Sequence, residues 1–484
     1  MFIKRVIILR EIVHSIGIDI GTSTTQLVFS RLVMENLAGN YAVPRISIVE
    51  KEITYRSKIY FTPLLSASEI DAEGLKAIIR EEYLSAGMKP SDLQTGAVII
   101  TGDTARKKNA NAVLEALSDM AGDFVVATAG PDLESVLAAR GAGTDKFSEE
   151  HRTVIANADV GGGTCNIALY DRGALCGVSC LDIGGRLVKI ENGRISYVFP
   201  KTAALAAAHG IKLELGARAD VSEISKLCSV MADNIAKALY LREHDAEHTR
   251  LYTNGGRPLP QSPRAKGVTF SGGVADYIYN ADYSEPFKYG DIGILLGKAI
   301  RENSAFKTLE LYKSNETIRA TVVGAGVYTV MVSGSTISYM RGELPIKNIP
   351  ILKISSEEEN SADMFAEAIK RRLPLYKSGP QVGRVAIAFS GEGHTSFSEV
   401  QNIAASIIRG AEDVVNSPYP LIVVVENDIG KVLGNALAAE LGDGKDIVSI
   451  DGISVANGDY IDIGEPIAGG HVVPVVVKTL IFNS

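Results

Sequence analysis

The residues whose types and spacing could do chemistry fall in two short turns and one glycine pair. Gly17-IDIGTSTTQLVF reads as a strand that ends at Asp19, turns at Gly21 and returns as a second strand, with the hydroxyls of Thr22, Ser23, Thr24 and Thr25 beside the turn. Glycine lets backbone amides approach an anion, so such a turn can hold phosphate. Asp159-VGGGT repeats the order of aspartate, glycine and threonine, with Gly161, Gly162 and Gly163 in the turn and Thr164 after it. Two such turns facing across a cleft would set a polyphosphate between two groups of N–H donors. Asp19 and Asp159 would hold a hydrated Mg²⁺, an ion that takes few carboxylates and keeps several waters. Val268-TFSGGVADYI adds a strand running into Ser271, Gly272 and Gly273 and then a helix, where missing side chains let a base or ribose lie on backbone.

Other polar clusters carry less. Arg106-Lys107-Lys108 follows Thr101-Gly102-Asp103 and reads first as the solvated start of a helix. His244 and His248 could share a helix face, but no acidic third ligand is dictated, so they read as exposed polar residues and not as a zinc site. Cys165, Cys176, Cys180 and Cys228 form no C-x-x-C pair and no cluster motif, which makes them inert, buried thiols of a reduced protein. The 47 glycines exceed the roughly 34 that average usage gives, and positions 17, 21, 161, 162, 163, 272 and 273 lie in the three turns. Gly184-Gly185 and Gly469-Gly470 read as ordinary turns.

Bulk properties narrow the partners. With 49 basic and 57 acidic residues the net charge is -8, which argues against a nucleic-acid or anionic-membrane surface. The apolar stretch Val6 to Leu9 is too short for a signal-peptide core, and runs such as Leu421-IVVV stop at strand length. A soluble, cytoplasmic chain is the expectation.

The elements that must position these residues follow from periodicity. Alternation over Ile12–Ile20, Thr25–Val33 and Arg45–Tyr60 predicts an antiparallel meander. A helix near Ser68–Ser85, a strand at Ala97-VIIT, a helix near Asn109–Met120, a strand at Phe124-VVAT and a helix near Pro131–Ala139 complete a mixed five-strand sheet. The pattern restarts with strands Thr153-VIANADV, Cys165-NIALYD and Leu175–Ile183 and helices near Val221–Leu241, as a second copy of the same opening. A third α/β block is expected beyond Asn303, with strands Ile318-RATVV, Arg384-VAIAF, Leu421-IVVVE and Ile447-VSI. Its helices are expected near Ala362–Arg371, Glu399–Arg409 and Gly430–Leu441, and its exposed loops at Ser355–Ser361 and Tyr376–Gly379.

Gly17-IDIGT, Ala158-DVGGGT and Phe270-SGGV, in this order, resemble the phosphate-1, phosphate-2 and adenosine motifs of the actin, Hsp70 and sugar-kinase ATPases. Pro131-DLESVLAARGAG and Tyr289-GDIGILLGKAI resemble connecting helices of that superfamily. The resemblance implies an α/β chain of duplicated actin-like (ribonuclease H-like) ATPase halves, 1–150 and 151–303, around a nucleotide cleft, with an additional C-terminal α/β region, 304–484, as the candidate for partner recognition. It implies Asp19 and Asp159 in the magnesium shell, Thr22 and Thr164 as phosphate contacts, and Asp132 or Glu134 as the carboxylate that orients the attacking water.

Within the superfamily the chain from about residue 12 is similar to the EutA family of reactivating factors for adenosylcobalamin-dependent ethanolamine ammonia-lyase. Gly17-IDIGTSTTQLVFSRL, Ile100-TGDTARKKNA, Ala158-DVGGGTCNIALYDRG and Leu421-IVVVENDIGKVLGNAL carry this likeness. It implies ATP and Mg²⁺ as cofactors and the lyase as partner, with damaged cobalamin released from the lyase and intact adenosylcobalamin taken up in its place. A small-molecule kinase and a nucleotide-binding scaffold or filament of the same fold are the alternatives. Homo-oligomer formation and association with a bacterial microcompartment stay open.

Overall fold

The structure, a computed structural model, describes residues 10–21, 24–36, 46–66, 69–101, 104, 107–118, 125–128, 131–253, 257–325, 330–332, 338–339, 344–378, 381–394, 396–456, 459–464, 466 and 472–479. Strands β1 (Arg10–Ile20), β2 (Thr24–Asn36), β3 (Ile46–Arg56) and the short β4 (Tyr60–Phe61) open the chain. Helix α1 (Ala72–Ala86), β5 (Thr95–Ile100), α2 (Ala110–Ser118), β6 (Val125–Thr128), α3 (Pro131–Ala142) and α4 (Thr144–Glu150) follow. Asp71 caps the first turn of α1 and Gly87, at φ +66°, ends it, the left-handed close that glycine favours. Every residue of β5 is buried, as a parallel strand covered on both faces must be.

The second set comprises β7 (Val154–Val160), β8 (Cys165–Asp171), β9 (Ala174–Leu181), α5 (Val221–Ala238), β10 (Gly267–Ser271), α6 (Gly293–Glu302) and β11 (Glu310–Leu311). The first sheet runs β3-β2-β1-β5-β6 and the second β9-β8-β7-β10-β11. In both, the first three strands are antiparallel and the last two run parallel to the first. The two sheets therefore share one order, third-second-first-fourth-fifth. A hairpin (Val188–Glu191, Arg194–Val198) and a helix (Pro200–Ala208), which periodicity did not reveal, lie between β9 and α5.

Ile16, Ile18 and Ile20 pack with Leu75, Ile79, Val113 and Leu117 on one face of the first sheet. The second sheet buries Ala156, Ala158 and Val160 with Leu227, Met231 and Ile235 of α5. Between the sheets, α3 meets α7 (Ala320–Val323), a stretch whose β-branched valines predicted a strand. Tertiary packing overrides that preference: Val322 and Val323 cover Val28 of the first sheet, while Val136 and Ala139 of α3 cover Ala168 and Tyr170 of the second. The crossing is close enough to require glycine. A Cβ at Gly141 would stand 1.9 Å from the carbonyl oxygen of Ala320, and one at Gly324 would stand 2.0 Å from that of Leu137.

Both β11 and α7 lie within the stretch expected to begin the third region. Beyond them is an eight-stranded sheet whose centre, Ile346–Lys353, Ala386–Phe389, Leu421–Val425 and Ile447–Ile450, is parallel. Helices Ala362–Arg372, Phe397–Gly410 and Gly430–Leu441 pack on it through Ile369, Ile407 and Leu433. Val472 joins the region to the first sheet by packing with Leu32, Ile99 and Leu137.

Three expectations are corrected. Ser355–Ser361 is not an exposed loop: Ser356–Glu359 is helical, closed by a Ser355/Glu358 capping box, and Glu359 is buried. Lys377–Ser378 is a short strand, with Gly379 outside the described residues. His248 is buried, its Nδ1 3.2 Å from Asn234 Oδ1 and its Nε2 3.0 Å from the Tyr252 hydroxyl. Among the described residues no helix is long and apolar enough to cross a membrane.

Gly141→Ala should lower stability by about 1–3 kcal/mol, the usual cost of forcing atoms into a packed site. Thermal unfolding of the ligand-free chain measures it, and an unchanged midpoint would contradict the close α3–α7 crossing.

Candidate functional site

Asp19 and Asp159 occupy equivalent places near the ends of the central strands β1 and β7. In register, Asp19 lies opposite Gln26 of β2 and Asp159 opposite Asn166 of β8. Both turns close with the same backbone hydrogen bond, Gly21 N–H to Thr24 C=O and Gly161 N–H to Thr164 C=O, each 2.9 Å. The structural partner of Thr164 is therefore Thr24 and not Thr22. Thr22 and Ser23 lie outside the described residues, as do Gly102, Asp103, Arg106 and Gly469-Gly470. Thr25 is buried, with Oγ1 3.1 Å from Thr62 Oγ1, so its hydroxyl lies within the support of the first turn.

Each aspartate is held by a hydroxyl from the neighbouring parallel strand's end. Thr101 Oγ1 donates to Asp19 Oδ1 at 3.0 Å, and Ser271 Oγ donates to Asp159 Oδ1 at 2.6 Å. Asn157 Nδ2 donates to Ser271 Oγ (2.9 Å), which directs the serine proton toward the carboxylate. Burial pushes the Asp19 carboxyl up to about 7, against the Thr101 hydrogen bond, and the charge of Asp159 pushes the same way. Burial raises Asp159 to about 6, opposed by Ser271 and Asn166. Two like charges that act on one another in a poorly solvated place favour a cation near them.

The turn amides are aimed by what grips the opposite side of their peptide planes. Gly185 N–H donates to Gly161 C=O (3.0 Å) and Arg186 N–H to Gly162 C=O (2.7 Å). A trans peptide points N–H opposite to C=O, so the amides of Gly162 and Gly163 face away from this brace. Gly184-Gly185 is thus no ordinary turn: a Cβ at Gly184 would stand 2.4 Å from Gly162 O, and one at Gly185 would stand 2.8 Å from Gly293 Cα. A Cβ at Gly161 would come no closer than 3.6 Å to Thr164 O, and one at Gly163 would meet nothing within 4 Å, so neither glycine is demanded by packing. The first turn is gripped differently, with Thr62 Oγ1 (2.7 Å) and Thr104 Oγ1 (3.1 Å) both donating to Gly21 C=O.

Gly272 (φ +84°) sits directly on the end of β7, where a Cβ would stand 2.4 Å from Val160 O. A Cβ at Gly273 would meet only Ile318 Cδ1, at 3.8 Å. The third motif is therefore brought beside the second turn, with Ser271 as the link between them. Asp132 and Glu134 share the first turn of α3. Asp132 is half-buried and paired with Arg257 at 3.4 Å; burial raises its carboxyl and Arg257 opposes the rise. The charges of Glu134, Asp182 and Asp132 bear on the buried Cys180 thiol, which burial holds far above its ordinary range. Cys180 Sγ donates to Asn166 Oδ1 (2.9 Å), which connects this acidic group to the second turn. Cys165, Cys180 and Cys228 are buried as expected, whereas Cys176 is only partly covered.

Thr62, Thr101, Thr104, Asn157, Asn166 and Arg186 escaped sequence reasoning. Only Thr101 and Asn166 had a signal, standing at the end of a predicted strand and opposite an aspartate in a predicted hairpin. Among the described residues no three His, Cys, Asp or Glu side chains converge as a metal site. Two carboxylates completed by phosphate and water suit Mg²⁺ and do not suit zinc.

A raised carboxyl contributes stability that is present below its ordinary value near 4 and lost as pH rises through about 6 to 7. In chelator, Asp19→Asn should therefore melt several degrees above the parent at pH 8, the gap closing by pH 5. Added Mg²⁺ should stabilise the parent more than the variant. Parallel melting curves for the two chains would refute the buried-charge assignment.

The family model for "Ethanolamine utilisation protein EutA" matches residues 11–483. The chain is 36% identical over 472 residues to an ethanolamine ammonia-lyase reactivase EutA of Salmonella typhimurium, with 97% of this chain and 98% of that protein covered. It is also 36% identical over 475 residues to the protein of the same name from Escherichia coli, at the same coverage. Among solved structures, an Aquifex aeolicus PPX-GPPA enzyme is 14% identical and aligns over 65% of this chain and 99% of its own, with a TM-score of 0.38. On the match that spans nearly its whole length, the chain belongs to the EutA family of ethanolamine utilisation proteins.

Proposed function

We propose that this protein is an ATP-dependent reactivase that makes adenosylcobalamin-dependent ethanolamine ammonia-lyase release damaged cobalamin, so that intact adenosylcobalamin can bind. The observation that carries the proposal is chain-long 36% identity to two proteins named ethanolamine ammonia-lyase reactivase. The paired aspartate turns support nucleotide as the energy source. The amides of Gly162 and Gly163, with Thr24 and Thr164 at the two turn closures, would receive phosphate oxygens, and Ser271, Gly272 and Gly273 would lie along the nucleoside.

Asp19 and Asp159 fit a hard divalent cation, being oxygen donors whose carboxyls are both raised and have no cation among the groups that act on them. A bound Mg²⁺ would supply charge neutralisation for the phosphates. Hydrolysis then needs positioning and no nucleophilic side chain: backbone amides offset phosphate charge while Asp132 or Glu134 orients a water in line. Asp132 is favoured, because its raised carboxyl is held by Arg257 at a fixed edge of α3. The halves 1–150 and 151–303 would close on ATP and relax on ADP. The region 304–484 would read that difference out to the lyase, which is remodelled by as much free energy as separates its affinities for the two states.

Cyanocobalamin-inactivated ethanolamine ammonia-lyase, mixed with the chain, ATP, Mg²⁺ and free adenosylcobalamin, should recover activity. Asp159→Ala should abolish recovery while leaving the fold intact by circular dichroism. Recovery absent with the parent chain under every nucleotide condition would refute the proposal, and phosphorylation of a small alcohol well above background ATP loss would favour a kinase. Asp132→Asn should slow ATP hydrolysis about 100-fold or more, and Glu134→Gln much less; the reverse ranking would move the role to Glu134.

A further inference from the structure

Arg186 is the one described residue whose backbone grips the second turn and whose side chain reaches the support of the first. Its N–H donates to Gly162 C=O at 2.7 Å, next to the Gly185 N–H that donates to Gly161 C=O at 3.0 Å. Its Cζ lies 5.5 Å from the centroid of the Phe61 ring, inside the range of a cation–π contact. Phe61 belongs to β4, paired with β2 directly opposite Thr24, and the next residue, Thr62, donates its hydroxyl to Gly21 C=O. The contact therefore closes a circuit from Gly162 through Arg186, Phe61 and Thr62 to Gly21.

Two details separate this from a chance surface contact. Arg186 Nε lies 3.4 Å from Asp291 Oδ2, and Asp291 Oδ1 accepts from the N–H of Gly293 at the start of α6, so the guanidinium is aimed from behind. Phe61 is otherwise 74% exposed, an apolar ring that no core packing holds in place. The guanidinium thus reaches from the support of the second turn to a strand of the first sheet.

We propose that Arg186 and Phe61 form a clasp across the cleft that couples the separation of the two turns to bound nucleotide. Arg186 is a positioning residue in this scheme: it sets the spacing of the turns and does not act on the phosphates. The inference rests on the nucleotide reading above, and the test distinguishes the two. ATP dissociation constants would be measured by calorimetry with Mg²⁺ for the parent chain, Arg186→Ala, Phe61→Ala, the double variant and Phe61→Tyr, with nucleotide-free melting curves as the control for folding.

Each alanine variant should weaken ATP binding about two- to fivefold, the range of a partly exposed cation–π contact. The double variant should be no weaker than the weaker single, and Phe61→Tyr should bind like the parent. Effects of the two alanine variants that multiply would overturn the clasp, as would unchanged affinity in both. A loss at Arg186→Ala far beyond that at Phe61→Ala would also overturn it, assigning Arg186 a direct phosphate contact. A parent chain that binds neither ATP nor ADP would refute the nucleotide reading itself, and the clasp with it.

Discussion

The burial of two like charges is the constraint on which the rest of this structure depends. Asp19 and Asp159 stand near the ends of the central strands of two sheets, Asp159 buried and Asp19 partly covered, and the charge of Asp159 adds to the rise of the Asp19 carboxyl. Left to themselves they would disfavour folding in neutral solution, because a desolvated carboxylate without a counter-charge is costly. The surrounding hydroxyls of Thr101 and Ser271 and the amide of Asn166 offset part of that cost. The remainder is available to a cation, which is the form in which a binding site holds its readiness.

The same strand order in both sheets brings the two carboxylates into equivalent positions, but the halves are not held alike. The first turn is gripped by hydroxyls reaching in from Thr62 and Thr104, the second by backbone amides of Gly185 and Arg186. The second turn's brace also packs tightly, with no room for a Cβ at Gly184 against Gly162 O or at Gly185 against Gly293 Cα, which accounts for these two glycines. The crossed helices α3 and α7 meet through Gly141 and Gly324, so each sheet is covered in part by a helix that also contacts the other. Relative movement of the sheets must pass through this crossing.

The C-terminal region offers the same kinds of anion-receiving groups and fills them itself. The N–H groups of Ser390 and Gly391, at the carboxyl end of a parallel strand, donate to the buried Glu359 carboxylate at 2.7 and 3.0 Å. The N–H of Gly430, at the start of helix Gly430–Leu441, donates to buried Asp451 at 2.8 Å. Crevices at such strand ends commonly receive ligands, and helix starts receive anions. Here both sets of donors are satisfied by side chains of the chain, whereas in the second turn the braces on Gly161 C=O and Gly162 C=O leave the amides of Gly162 and Gly163 facing away from them.

Local chemistry made part of this legible in advance. An aspartate followed by a glycine turn between alternating strands specifies its own geometry within six residues, so Asp19, Asp159 and the glycines of the three motifs were readable from their neighbours. So were most strands and helices, whose periodicity is a property of contiguous residues. What contiguous residues cannot encode is which distant group arrives at a turn. Thr62, Asn157 and Arg186 act through spatial partners, the equivalence of Thr164 with Thr24 needed the closing hydrogen bonds, and residues 320–323 became helical because a glycine-lined crossing with α3 outweighed the strand preference of two valines. The sequence determined by itself the two acidic turns and the antiparallel strands that open each set, because these are set by short-range stereochemistry. Only the tertiary structure decided how the turns are gripped and that their charges meet, because burial and approach depend on residues brought together from far along the chain.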